Sequence, residues 1–279
     1  MPIDPDRAIG AELPPAEFSW TESDVLLYHL ALGATELRYA YEAGLRVLPT
    51  FGVVAPTLRL TAPPTVSYPG VDLNLGQVLH GEQSISLRRP IPVAGTARLV
   101  TRIAAVYDKG ESAVIVQEST VDIDDDPLFT TRSSIFARGA GGFGGDRGPS
   151  SRFTAPVGDP DAVLDTPTLP QQALLYRLCG DRNPLHVDPA FAAEAGFSSP
   201  ILHGLCTYGM VAKSVVDGAL DGDPDRLVSF SARFTGVLYP GEPVRTRLWR
   251  SAADWVFVTT APDRAEAPVL TGSLTALAA

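Results

Sequence analysis

Between His203 and Leu220 the chain reads HGLCTYGMVAKSVVDGAL, apolar or small at nearly every position, with Lys213 the only charge before Asp217. A stretch of that length without a polar stripe predicts a helix buried on most of its sides. Elsewhere the pattern shortens. ARLVTRIAAVYDKGESAVIVQESTVDI predicts two long strands turning at Asp108-Lys109-Gly110. In the second half LVSFSARFTGVLYPGEPVRTRLWR, DWVFVTTAP and PVLTGSLTAL read as three strands, with a turn at Tyr239-Pro240-Gly241-Glu242. Leu-Leu-Tyr-x-Leu occurs twice, from Leu26 and from Leu174. Each copy follows a segment able to open a helix: Thr21 to Asp24 in the first half, Thr166-Pro167 through Gln171 in the second. A helix followed by an antiparallel meander, met twice, predicts an α+β duplication.

The halves are separated by a Gly/Pro/Ser-rich tract from Arg138 to Ala162 that reads as a linker. The predicted units are residues 1–138 and 163–279, joined by 139–162. The tract holds a formal GxGxxG (Gly139, Gly141, Gly144), and TTRSSIFA before it could form a strand. A dinucleotide site needs a helix to open at that point, which Gly145-Asp146-Arg147-Gly148-Pro149 does not allow, so the match is read as chance.

Composition narrows the partners. The 279 residues are 45% apolar and 19% charged, with a net charge of −10. That balance argues against a nucleic-acid partner, which would need clustered Lys and Arg. Cys179 and Cys206 form no CxxC and lie in apolar stretches, as buried free thiols do. The N-terminus MPIDPDRAIG lacks the apolar core of a secretory signal, and no run of about 18 apolar residues suggests a membrane span. LTALAA at the other end is no peroxisomal tripeptide. The expected location is cytoplasmic.

The chemistry concentrates in GDRNPLHVDPAFAAEAGFSSPILHGL, Gly180 to Leu205. On a helix Asp181 and His186 would sit about 140° apart and share no face. Pro184 instead pushes Asn183 out of the α region and favours a turn, in which Asp181, Asn183 and His186 can converge. Asp188-Pro189 resembles an N-cap followed by proline at the first helical position, with Gly196 placed to stop that helix. The long apolar helix would begin near Gly204, where unpaired N–H groups can hold developing negative charge. Taken singly, Asp181 reads as an Asx-turn residue and His186 as a satisfied buried histidine. Together, a carboxylate and an imidazole sharing a water can move its proton, and an amide at a helix start can stabilise an oxyanion. Addition of water to an α,β-unsaturated thioester needs both functions. His203 is expected to pack or to orient backbone near the helix start. No HxxxH, HExxH or GxSxG occurs, so neither a metal nor a serine nucleophile is expected.

YRLCGDRNPLHVDPAFAAEAGFSSPILHGL resembles the hydratase motif of the MaoC-like family within the hot-dog superfamily. LRYAYEAGLRVLPTFGVV, NLGQVLHGEQSISLRRPIPVAG, YDKGESAVI, RGAGGFGGDRG and ARFTGVLYPGE narrow the resemblance to type-2, (R)-specific enoyl-CoA hydratases with two hot-dog units in one chain. The resemblance implies an α+β double hot-dog fold and reversible hydration of trans-2-enoyl-CoA to (3R)-3-hydroxyacyl-CoA, without metal or redox cofactor. It casts Asp181 and His186 as the catalytic pair, Asn183 as a water-positioning residue and Gly204 as the oxyanion donor. His80, Gly81, Lys109, Arg182, Pro184, Leu185 and Phe234 fall where relatives contact the acyl-CoA. Lys109 also makes physical sense there, since a flexible stem can carry its charge to a phosphate. Where the second half has GDRNPLH the first has GATELRY, implying one active site per chain. A homodimer is expected. Glu42 is read as a structural ion-pair partner, and Arg88 and Arg89 as solvated charges at a strand end. Alternatives include a dehydratase of carrier-protein-bound or bulky, sterol-type acyl thioesters, a non-catalytic acyl-CoA-binding subunit and a hot-dog thioesterase.

Overall fold

Two matching sets of strands join edge to edge. The computed structural model describes residues 2–150, 153–251 and 254–278. The first half supplies β1 (Ala16–Trp20), the small hairpin β2 (Val66–Tyr68) and β3 (Val71–Leu73), then β4 (Val78–Leu87), β5 (Gly95–Asp108), β6 (Ser112–Ile123) and β7 (Asp126–Arg138). The second half supplies β8 (Ala162–Thr166), β9 (Leu227–Phe234), β10 (Val244–Ser251), β11 (Asp254–Ala261) and β12 (Ala267–Ala276). Ten of these strands form one antiparallel sheet in the order β1-β5-β6-β7-β4-β9-β12-β11-β10-β8. The two halves of that order mirror each other about the β4–β9 seam, where Ser84 lies opposite Ser231. This is the double hot-dog arrangement, and it establishes the duplication structurally.

The sheet carries its apolar side chains inward at a period of two: Val244, Thr246 and Leu248 on β10 are buried, as are Trp255, Phe257 and Thr259 on β11. Two helices fill the enclosed space. Glu22–Ala31 starts at Thr21 with a capping box closed by Asp24. Gly204–Ala219 is the long apolar helix, with Tyr208, Met210, Val211, Val215 and Val216 all in the core. They cross closely at Gly209, where a Cβ would sit 2.5 Å from the Tyr28 hydroxyl and 2.8 Å from Leu32. The repeated Leu-Leu-Tyr also finds its reason. Tyr28 and Tyr176 are both fully buried and face each other, with ring centroids 6.3 Å apart.

Several expectations need correction. The first strand segment of the second half is two strands, β9 and β10, separated by the 235–243 loop. TTRSSIFA lies within β7, while β1, β4, β8 and the β2–β3 hairpin carried no clear periodic signal. The tract after Arg138 is also more than a connector in its first part. The Asp108 carboxylate accepts N–H bonds from Gly110 (2.8 Å), Gly142 (3.0 Å) and Gly144 (2.6 Å). Lys109 donates to the carbonyls of Arg147 and Pro149. Residues 145–150, directly after the GxGxxG, form no helix. Nor is any described helix long and apolar enough to cross a membrane.

Candidate active site

The loop from Gly180 to His186 is shaped by residues that could adopt few other conformations. The helix Gln172–Tyr176 and the 3-10 turn after it end at Gly180, whose φ is +104° and whose Cβ position lies 1.9 Å from the Thr57 carbonyl oxygen. Only glycine fits such a conformation and approach. Asn183 has ψ 122°, outside the α region, as the following proline demands. Two successive side-chain turns then fold the loop back: Asp181 Oδ1 accepts from the Asn183 N–H and Asn183 Oδ1 from the Leu185 N–H, each at 3.1 Å. Asp188 caps Pro189–Glu194 as expected, and Gly196 follows at φ +89°.

This fold-back brings Asp181 and His186 together. His186 is 8% exposed and its Nδ1 lies 2.8 Å from the Ile201 carbonyl oxygen. A carbonyl only accepts, so in the neutral ring Nδ1 carries the proton and Nε2 is bare. Burial pushes the His186 pKa below its usual value, against the opposing pull of the Asp181 carboxylate. One donor atom each from Asp181, His186 and His203 lie within 4.8 Å of one another.

His203 is fully buried, with its ring stacked on His186 at 3.8 Å between centroids and 29° between planes. Near-parallel rings aim their lone pairs along near-parallel lines, and one ion cannot lie close to both nitrogens in both ring planes. The three residues therefore fit a metal ion poorly in this arrangement.

Asp181, Asn183, Leu185, His186 and Gly204 line one cavity of about 430 Å³, as do His80 and Phe234. Gly204 opens the long helix, and no side chain caps that end. The first backbone bond of the turn runs from the Thr207 N–H to the His203 carbonyl, which leaves the earlier N–H groups without helical partners. A second, larger cavity of about 770 Å³ is lined by His80, Gly81, Lys109, Arg132, Arg233 and Phe234 among others. His80 and Phe234, edge-to-face at 5.0 Å, border both spaces. Gly81 is the unpaired residue of a bulge in the β4–β7 register, and a Cβ there would sit 2.7 Å from the Ser134 hydroxyl.

Arg182 and Pro184 border neither cavity. Glu42 is exposed and, among the described residues, has no ion pair, unlike the expectation for it. Arg89 pairs with Asp126 at 3.0 Å, and both Arg88 and Arg89 lie away from the two cavities. The wall formed by Pro64, Thr65, Val66 and Tyr68, ahead of and within the β2–β3 hairpin, was not anticipated. Its only sequence signal is the turn-rich TAPPTVSYPG.

Residues 18–139 match the MFE-2 hydratase 2 N-terminal domain, and residues 152–265 match the MaoC like domain. Enoyl-CoA hydratase ChsH3 of Mycobacterium tuberculosis is 53% identical over 98% of this chain and 98% of its own. This chain belongs to the MaoC-like hydratase 2 family. A probable enoyl-CoA hydratase 2 of Dictyostelium discoideum is 38% identical to this hydratase, over 90% of this chain and 88% of that one. A MaoC-like dehydratase from Phytophthora capsici superposes with a TM-score of 0.90 at 28% identity, covering 99% of this chain and 98% of that one. The two family matches divide the hydratase as its geometry does. The loop carrying Asp181 and His186 lies in the MaoC-like part, and β4 with the β2–β3 wall lies in the other.

Proposed function

We propose that this hydratase adds water reversibly across the C2=C3 bond of a trans-2-enoyl-CoA to give a (3R)-3-hydroxyacyl-CoA. The observation that carries the reading is the nearness of the Asp181 carboxylate to the His186 ring, whose Nδ1 is taken by the Ile201 carbonyl, on a cavity that also reaches Gly204. One water donates to both acceptors, and its oxygen attacks C3. The displaced π electrons move through C2 to the thioester oxygen, where the Gly204 N–H receives the charge. The proton taken up by the dyad is delivered to C2 as the enolate collapses, so the protein ends as it began. Asn183 holds the loop in its folded form and so positions Asp181.

The acyl portion enters the smaller cavity past His80 and Phe234. The coenzyme lies along the larger one, whose Lys109, Arg132 and Arg233 suit its phosphates. One site serves each chain: the 163–279 unit brings the acid–base groups, while the 1–138 unit, joined through 139–162, contributes walls. No metal or redox cofactor takes part. The enzyme works as a cytoplasmic homodimer. Loss of the conjugated thioester absorbance with crotonyl-, decenoyl-, sterol-type and carrier-bound enoyl substrates tests the reaction and its range. Free thiol release in the same assays would indicate a thioesterase instead, and unchanged absorbance with every substrate would indicate a binding subunit.

A further inference from the structure

His203 sits beside Asp181 and His186 and touches both. Its Nε2 lies 3.3 Å from the main-chain carbonyl oxygen of Asp181, and its ring lies flat against His186. Because a carbonyl can only accept, Nε2 carries the proton. Burial drives its pKa well below the usual range, with His186 and Arg177 disfavouring a second charge. The ring is thus neutral and its Nδ1 is a bare acceptor. That Nδ1 is buried with no hydrogen-bond partner among the described residues, as is the hydroxyl of Tyr176, whose ring centroid is 5.0 Å away. An acceptor and a donor on adjacent rings are a complementary pair, and with no direct bond between them a single bridging water would satisfy both.

We propose that His203 is a positioning residue for hydration: it ties Tyr176 to the Asp181 backbone and holds His186 by stacking, so that carboxylate and imidazole stay one water apart. This rests on the hydratase reading above. His203 touches neither the water nor the substrate in this scheme. It acts through the geometry of groups that do, where a displacement near one ångström can cost about a hundredfold in rate. Its place one residue before Gly204 lets the same ring register the dyad against the oxyanion donor.

The variants His203→Gln, His203→Leu and Tyr176→Phe separate positioning from packing. The amide nitrogen of glutamine can reach the position of Nε2 and keep the bond to Asp181, whereas leucine fills the space without it. His203→Leu is expected to lower kcat by about 30- to 100-fold, with KM for the enoyl-CoA within about threefold. His203→Gln is expected to recover most of that loss, and Tyr176→Phe to lower kcat several-fold. Wild-type kcat in folded His203→Leu, or equal losses in the Gln and Leu variants, overturns the proposal. If His203→Leu does not fold, unchanged kcat in Tyr176→Phe overturns it. Wild-type enzyme assayed alongside isolates the two readings: inactivity toward every enoyl-CoA refutes the hydratase assignment, while active wild type with unaffected variants refutes only the role of His203.

Discussion

The Ile201 carbonyl holds His186 by its Nδ1–H at 2.8 Å, which leaves Nε2 as the acceptor of the neutral ring. Burial lowers the pKa of that ring. The reactive neutral form therefore persists below the ordinary histidine value of about 6.5. On the acid side, kcat/KM should fall only as pH drops through this depressed pKa, giving a limb below pH ~6.5. A pH–rate profile in the stability range checks this. An acid limb centred near pH 7.5 would mean that burial does not govern this ring in the working state.

Substitution of either dyad member should remove the chemistry and spare the fold. Asp181→Asn and His186→Ala are each expected to cut turnover by at least about 100-fold, the lower end of acid–base contributions. Thermal melts of the same samples distinguish lost catalysis from lost structure.

At Gly204 a methyl group would approach the Phe234 ring to 3.0–3.3 Å, closer than the ring can accept unmoved. It would also stand beside the N–H assigned to the thioester oxygen. Gly204→Ala should lower kcat by about tenfold or more, a part of what losing an oxyanion donor costs. Steady-state rates with one enoyl-CoA are sufficient to check it.

Asp108 organises the glycine-rich segment, and its pKa is held down to about 2 by the Gly142, Gly110 and Gly144 N–H bonds. Asparagine offers one acceptor oxygen and turns an NH₂ toward those donors. Asp108→Asn should loosen the segment carrying Pro149 and Ser150, which border the larger cavity beside Lys109. KM for the CoA ester is expected to rise several-fold with kcat within about twofold, as loss of uniform binding requires.

His29 predicts a pH-dependent stability. Fully buried, it pairs Nδ1 with the Tyr39 carbonyl at 3.0 Å and accepts the Leu48 N–H on Nε2 at 3.2 Å. Burial pushes its pKa down to about 4. The unfolded chain takes up this proton near pH 6.5 and the folded chain only near 4, so the full stability is present above 6.5 and is lost as pH falls through 4. The loss from this residue approaches about 3 kcal/mol. Urea midpoints at pH 7 and pH 4.5 should differ clearly; equal midpoints would contradict it.

Local rules were strong enough to read the shape of the 180–204 loop from sequence. Pro184 restricts Asn183, Asp188 caps a proline-led helix, and the long helix begins at Gly204; each signal acts within a few residues. The seam that pairs Ser84 with Ser231 has no such signature, because hydrogen bonds between distant segments place few demands on composition. The hairpin wall near Tyr68 was hidden for another reason. Its strands are three residues long, too short to show a period. His203 was read as a residue that packs or orients backbone near the helix start; its contact with Asp181 comes only through the folded-back loop.

The most direct test of the account is chiral analysis of the product formed from a trans-2-enoyl-CoA by the wild-type enzyme and by Asp181→Asn. The expected result is (3R)-3-hydroxyacyl-CoA from the wild type and a near-complete loss of product from the folded variant. A (3S) product, or undiminished (3R) product from Asp181→Asn, would contradict it.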